Sequence, residues 1–473
     1  MFFQQIYEKG LAHASYMVGC QKTGTVAVID AQRDVDVYIN IARKEKLTIT
    51  HILETHIHAD FLCGSRELAE LTGATIYASD EGGSEWQYTF PHAGLRDNDS
   101  FMVGNIKFDV WHTPGHTPEH ISFLVTDTPA TDKPIMFFSG DFVFVGDVGR
   151  PDLLEKAAGI KGTMVKGAHQ MYHSLERFKT LPDYVQVHPA HGAGSACGKA
   201  LGAIPSTTVG YEKVANWALQ FTDEEAFVSA LLEGQPEPPK YFAMMKMLNK
   251  EDRTLITQVP TLHKYSVDDV KNAMQANTVI VDTRGKLAFA GGHLPGALNI
   301  QNNNSFTTWA GWMLDYQTPF LLVAGDEHIE TVTRKLMRIG LDNIAGYTNG
   351  IEEWSSEGHE PSILPEITVH QLHERIQNGT IHVLDVRGIA EYNEGHIAGA
   401  QHIHAGYLAN RLDEIPRTTD VAVHCAGGDR SSTACSLLQR AGFTNVINVV
   451  GGFNAWRESN LPTETEAVAE QMT

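Results

Sequence analysis

The sequence predicts an α/β protein: one large, irregular block followed by two copies of a smaller, regular one with parallel sheets. Three observations carry this. Short runs rich in β-branched and aromatic residues alternate with stretches of helical period along the chain. The second half repeats itself at a spacing near 100 residues. Finally, 473 residues that are 42% hydrophobic provide core material for about three domains at roughly 150 residues each.

In the first block, β-like runs at 25–30 and 135–138 mix with helical stretches, and the apolar run 49–53 reads as a buried strand. Residues 233–240 (EGQPEPPK) are polar and Pro-rich and read as a surface connection. Few periodic apolar positions follow up to Pro260, which suggests a block at 1–245 and a linker at 246–260. Beyond it, Val281-Asp282-Thr283-Arg284 matches Leu384-Asp385-Val386-Arg387, and Gly292-His293-Leu294-Pro295-Gly296-Ala297 matches Gly395-His396-Ile397-Ala398-Gly399-Ala400, both at an offset of 103. Arg338-Ile339-Gly340 matches Arg440-Ala441-Gly442, and Trp354 matches Trp456, at 102, so one residue shifts between. This period is too long for a solenoid unit and suits duplicated domains, at 261–358 and 363–463. In the last copy, β-rich runs at 382–386, 421–424 and 446–450 surround a helical pattern at 431–441 that Gly442 ends. Such alternation implies a parallel sheet.

The net charge of −21 opposes general binding to nucleic acid or to an anionic membrane, since phosphates repel it. The opening Met1-Phe2-Phe3-Gln4-Gln5 lacks a basic stretch followed by an apolar run, so no signal peptide is expected. No run approaches 18 apolar residues, so no transmembrane helix is expected either. Five scattered cysteines (Cys20, Cys63, Cys197, Cys425 and Cys435) do not form a disulfide framework and suit a cytoplasmic, reducing compartment.

The chain is rich in histidine, and four His/Asp clusters fall in its first 200 residues. Thr55-His56-Ile57-His58-Ala59-Asp60 follows the strand 49–53. Thr113-Pro114-Gly115-His116-Thr117, Ser139-Gly140-Asp141 and His188-Pro189-Ala190-His191-Gly192 come later. Three of the four close a β-like run, where side chains can converge on an ion without crossing a core. One H-x-H is weak evidence of metal chemistry, but four clusters in this order are strong evidence.

Across about residues 1–245 this constellation resembles the metallo-β-lactamase fold, which implies an αββα sandwich. The family's first motif is H-x-H-x-D-H, and here Phe61 stands at its last position. Phe cannot bind a metal, which weighs against a dinuclear hydrolase of the glyoxalase II type. Residue by residue, the block is similar to the persulfide dioxygenase branch. That resemblance implies one Fe(II) per chain, held by His56, His116 and Asp141 as a two-histidine, one-carboxylate face. His58, Asp60 and His191 would then orient ligands or handle protons, or serve only as structural hydrogen-bond partners. Gly149-Arg150-Pro151-Asp152 resembles the branch's G-R-x-D turn, which implies that Arg150 meets the carboxylate of a thiol substrate. Cys197, close after His191, reads equally as a persulfide relay at the substrate site or as a small buried hydrophobe. Cys20, Cys63 and Cys435 read as core.

In the last copy a strand ends at Cys425, Ala426-Gly427-Gly428-Asp429-Arg430 follows, and a helix begins near Ser431. Gly427 and Gly428 let backbone amides turn toward the sulfur, and the helix start and Arg430 favour an anion there. This copy resembles rhodanese, a sulfurtransferase, and its C-x₄-R spacing is one residue shorter than the C-x₅-R of related phosphatases. The resemblance implies Cys425 and Arg430 as catalytic, and Gly427, Gly428 and Ser431 as the anion cradle. The middle copy keeps the rhodanese frame without the cysteine: Val323 aligns with Cys425 and His328 with Arg430 when Gly340 is matched to Gly442.

The whole chain therefore resembles persulfide dioxygenase–rhodanese fusions. Expected partners are a small-molecule thiol persulfide, O₂ and sulfite, with no nucleic acid and no membrane; a homo-oligomer is compatible with the sequence. Oxidation of the persulfide to sulfite, then thiosulfate formation at Cys425, would detoxify sulfide. Two other classes compete: a thioester hydrolase with an accessory rhodanese, against which Phe61 counts, and a non-enzymatic persulfide adaptor, against which the metal triad counts.

Overall fold

The computed structural model describes residues 1–158 and 162–465. The chain divides into two compact units, Met1–Val259 together with Arg334–Gly340, and Pro260–Thr333 with the chain from Leu341 onward.

The first unit contains two six-stranded sheets. In the first, Phe2–Glu8, His13–Cys20, Thr25–Ile29, Thr48–Leu53, Thr75–Ser79 and Ala93–Leu95 lie side by side in chain order. The second runs from Thr207–Thr208 through Gln186–Pro189, Met136–Gly140, Ile121–Asp127 and Ile106–His112 to Ser100–Val103. The two-residue period of a strand assigns their faces. Ala27 and Ile29 join Phe108, Phe123 and Phe138 in a core made by both sheets. Val26 and Val28 face the other way and pack with Tyr38, Ala42 and Leu68 of the helices Asp36–Glu45 and Ser65–Thr72. Phe137 and Val187 likewise pack outward on Ala168, Met171 and Phe227 of the helices Thr163–Phe178 and Glu224–Leu232. The result is the expected αββα sandwich.

Each sheet's ends deliver the clusters seen in the sequence. Residues 54–60 leave Thr48–Leu53, and Asp141 follows Met136–Gly140 directly. Residues 246–260, expected as a linker, belong instead to the first unit up to Val259. The helix Phe242–Lys250 runs into them, and the buried Asn249 carboxamide donates to the backbone carbonyls of His58 (2.8 Å) and Phe61 (2.7 Å) and accepts from Cys63 N–H (2.8 Å). These backbone groups need partners in the interior, and Asn249 supplies them.

The second unit holds the duplicated domains. The first copy has a parallel sheet in the order Leu298–Asn299, Val279–Asp282, Phe320–Val323, Ile344–Thr348. The second has Glu366–Ile367, Val446–Val449, Val421–His424, His382–Asp385, Gln401–His402, also parallel. One hydrophobic cluster spans both copies, from Phe289, Leu321 and Val323 to Leu384, Cys435 and Leu438.

The repeated residues are the frame of each copy. Arg284 Nη2 bonds Asp282 (2.6 Å) and the Gly292 carbonyl (2.8 Å), and Arg387 Nη2 bonds Asp385 (2.6 Å) and the Gly395 carbonyl (2.7 Å). His293 stacks on Phe289 and His396 on Tyr392. Trp354 and Trp456 each donate an indole N–H to a carbonyl six residues on. Strand pairing corrects the alignment of the copies. Asp282 pairs with Val323 and Asp385 with His424, so Val323 corresponds to His424, and Ala324 stands where Cys425 does. The extra residue of the last copy lies after the strand, so matching from the helix end shifts the strand end by one.

Candidate metal centre and thiol pocket

His56, His116 and Asp141 come together, fully buried, at one end of the sandwich. His56 Nε2 and His116 Nε2 lie 3.8 and 3.5 Å from Asp141 Oδ2. His56 Nε2 and both Asp141 oxygens have no hydrogen-bond partner in the protein. Buried polar atoms rarely go unpaired, and donor atoms aimed at one point are what a cation needs.

The surrounding bonds set the proton positions. The Arg150 carbonyl can only accept, so His116 Nδ1 donates to it (2.9 Å) and Nε2 keeps its lone pair for the site. Thr55 Oγ1 donates to Asp30 Oδ2 (2.9 Å) and therefore accepts from His56 Nδ1 (2.9 Å), which again leaves Nε2 as the ligand atom. Burial lowers the pKa of both imidazoles, which keeps them neutral. Asp141 N–H donates to His120 Nε2 (3.0 Å), and His120 Nδ1 shares a bond with Thr113 Oγ1 (2.8 Å). Gly140 is needed for this approach: at φ 53° it turns left-handed, and a Cβ there would lie 2.6 Å from His120 Nε2.

His58 does not join the triad. Its Nε2 lies 3.2 Å from Asp30 Oδ1 and 3.7 Å from Glu54 Oε2. Burial opposes its charge, but these carboxylates outweigh burial and lift it to about 9. A protonated imidazole has no lone pair for a metal. Asp60 and His191 pair with each other (Oδ2 to Nε2, 3.2 Å), and His191 Nε2 also lies 3.5 Å from Asp141 Oδ1. Cys197 is buried beside them, and its sulfur could form a second donor group with Asp60 and His191. Burial, then Asp60 and Asp141, push its thiol pKa well up, so it is held protonated.

The expectation that Arg150 reaches a substrate carboxylate is not met by its geometry. Its guanidinium is fully buried, makes a two-point pair with Asp152 (3.0 and 2.8 Å), and donates to the carbonyls of Ala196 (3.0 Å) and Pro236 (2.6 Å). It ties the 149–152 turn to two distant loops. Cys63, expected as plain core, is buried but donates to Glu54 Oε2 (3.2 Å). Asp30, Glu54, His120 and Asn249 escape the sequence reading. Asp30 and Glu54 carry a local signal, each a carboxylate closing an apolar run.

In the second unit Cys425 sits at the end of Val421–His424, with the helix Asp429–Arg440 beginning just beyond. Gly428 N–H donates to its Sγ (3.1 Å), and Gly428 at φ 102° makes that turn possible. Ser431 Oγ lies 3.7 Å from the sulfur and donates to Asn448 Oδ1 (2.7 Å). Gly427 lines the pocket and directs its carbonyl to Lys286 Nζ (2.6 Å). Arg430, expected to favour an anion at the sulfur, lines the Cys425 pocket and makes a two-point pair with Glu391 (2.5 and 2.7 Å). Cys425 opens on a pocket of about 500 Å³.

Comparisons with known proteins match the domains that carry these two centres. Residues 9–191 match the Metallo-beta-lactamase superfamily, and residues 266–357 and 368–459 each match the Rhodanese-like domain. The crystal structure of a metallo-beta-lactamase from Staphylococcus aureus subsp. aureus COL is 45% identical, with a TM-score of 0.67, covering 74% of this chain and 98% of that one. The chain belongs to the metallo-beta-lactamase superfamily. Two rhodanese-like domains follow its lactamase-fold domain. A hydroxyacylglutathione hydrolase of Rhodospirillum rubrum is 33% identical over 178 residues, 37% of this chain and 60% of that protein. The mitochondrial persulfide dioxygenase ETHE1 of Bos taurus is 26% identical over 198 residues, 40% of this chain and 68% of that protein. This superfamily member spans about three fifths of the length of the hydrolases it matches. Among the described residues no helix is long and apolar enough to cross a membrane.

Proposed function

We propose that the chain is a non-haem Fe(II) persulfide dioxygenase joined to a thiosulfate-forming sulfurtransferase, active in removing sulfide and persulfide. The reading is carried by the first centre's donor set. Two neutral imidazoles and one carboxylate suit ferrous iron with open positions, and Phe61 removes one ligand of a second metal position. Iron bound by His56, His116 and Asp141 would supply the oxygen chemistry that converts the terminal sulfur of a thiol persulfide to sulfite, releasing the thiol.

The protein's own groups do the rest. The Arg150 carbonyl and the Thr55 hydroxyl hold the two imidazoles in the tautomer that presents Nε2. His58 has its Nε2 beside Asp30 and Glu54 rather than at the triad. Cys425 carries a sulfane sulfur as Cys–S–S⁻, with Gly428 N–H and the helix start at the anion. Sulfite then takes that sulfur.

A second reading, a thioester hydrolase, draws support from the hydroxyacylglutathione hydrolase relatives and from Asp60, His191 and Cys197, which could complete a second metal position despite Phe61. Metal analysis of anaerobically purified protein, together with an oxygen electrode, separates the two. The dioxygenase reading expects iron and O₂ uptake on adding glutathione persulfide, both lost in Asp141→Ala. Zinc, no O₂ uptake and hydrolysis of a glutathione thioester would overturn it.

A further inference from the structure

The cysteine-less copy carries no nucleophile where Cys425 stands, yet it forms much of the wall of the Cys425 pocket. Lys286, Gln301, Asn303 and Trp309 of that copy line it opposite Cys425, Asp429 and Arg430. Asp429 is gripped at each of its acceptors by the other copy. Lys286 Nζ donates to Oδ1 (2.6 Å), Asn303 Nδ2 to Oδ2 (3.2 Å) and Gln301 Nε2 to the main-chain carbonyl (3.1 Å). Lys286 Nζ also donates to the Gly427 carbonyl (2.6 Å) and lies over Gly428, where a Cβ would be 3.2 Å from it. Gly428 is the residue whose N–H holds the sulfur. The ammonium thus sits beside the loop that presents the sulfane sulfur.

The pocket's charges make this position matter. Arg430 is matched by Glu391, so its charge is largely neutralised locally. Asp429 would repel an incoming dianion if Lys286 did not offset it. An ammonium has three N–H donors, and two point at the Gly427 carbonyl and Asp429.

We propose that Lys286, from the cysteine-less copy, is the residue that recognises the anionic sulfur acceptor, a small sulfur oxyanion, in the Cys425 pocket. This rests on the reading of Cys425 as a sulfur carrier. In the transfer, the lone pair on the sulfite sulfur attacks the terminal sulfur of Cys425–S–S⁻. The S–S bond to Cys425 breaks, its electron pair stays on Sγ as the thiolate, and thiosulfate leaves. Charge is conserved and no outside oxidant is needed. Lys286 offsets Asp429 and offers the dianion its third N–H without entering the bond changes, so its effect falls on acceptor binding.

The test uses the full chain, with Cys425 loaded from glutathione persulfide and turned over with sulfite or with uncharged dithiothreitol. In Lys286→Gln the KM for sulfite should rise roughly tenfold or more while kcat stays within about twofold. Lys286→Glu should be worse, Lys286→Arg should restore most of the affinity, and the KM for dithiothreitol should not move. A sulfite KM within about twofold of wild type in Lys286→Gln, or an equal rise for both acceptors, overturns the proposal. Loss of Cys425 loading in all three variants, read as the missing mass of one sulfur, also overturns it, because Lys286 would then be structural. Failure of the wild type to make thiosulfate from loaded Cys425 and sulfite would instead bring down the sulfurtransferase reading itself.

Discussion

At the scale of single residues, Glu391 sets how much of the Arg430 charge reaches the sulfur. A cation near a thiol lowers its pKa, and a carboxylate paired with that cation cancels much of the effect. Glu391→Gln removes the cancelling charge. We predict that iodoacetamide then alkylates Cys425 faster at a fixed neutral pH, by about threefold or more. An unchanged rate would mean that Arg430 does not act on the sulfur electrostatically. The candidate nucleophile and the candidate metal triad are legible in the sequence because each residue lies in a short local cluster at a strand end. Arg150 and Arg430 are harder to read. Their types signal anion binding, but Asp152 and Glu391 meet them first, and the carbonyls of Ala196 and Pro236 that complete the Arg150 shell lie far along the chain. Sequence spacing carries no record of such partners.

At the scale of elements, the turn from His58 to Cys63 depends on a helix about 190 residues away. Asn249 on Phe242–Lys250 makes three hydrogen bonds to that turn. Asn249→Ala should cost about 2–3 kcal/mol at roughly 1 kcal/mol per bond, and it should loosen the segment that follows His56. The expected result is a lower melting temperature and faster loss of metal to a chelator, with the chelation effect persisting well below the melting transition. If chelation is unaffected, the segment holds the site without Asn249. Low periodicity makes this region look like a linker. An amphipathic pattern reports which face of a helix is buried, not the one polar side chain that reaches back to satisfy a turn. The strands are more readable, because a two-residue alternation such as Val26–Ile29 directly reports two packed faces.

At the scale of the whole molecule, the proposed function gives each unit one chemistry, and the two should be separable by mutation. Cys425→Ser should abolish thiosulfate output from persulfide and sulfite while O₂ uptake persists. Asp141→Ala should do the reverse when persulfide and sulfite are both supplied. Thiosulfate formation that survives in Cys425→Ser would place the sulfur transfer elsewhere. The division into one large block and a duplicated pair is readable from the sequence, because several motifs recurring in the same order at one offset are the mark of a duplicated segment. The register of the repeat comes out one residue off when it is matched from the helix ends, because helix ends and strand ends of the two copies differ in offset.

A gene segment that duplicates and then loses its nucleophile is usually free to drift, since nothing selects its surface. The grip on Asp429 removes that freedom here. Lys286, Gln301 and Asn303 are each fixed by what they hold in the other copy. The cysteine-less copy is thus tied to the loop around Cys425, and substitutions on that wall should accumulate only alongside compensating changes there.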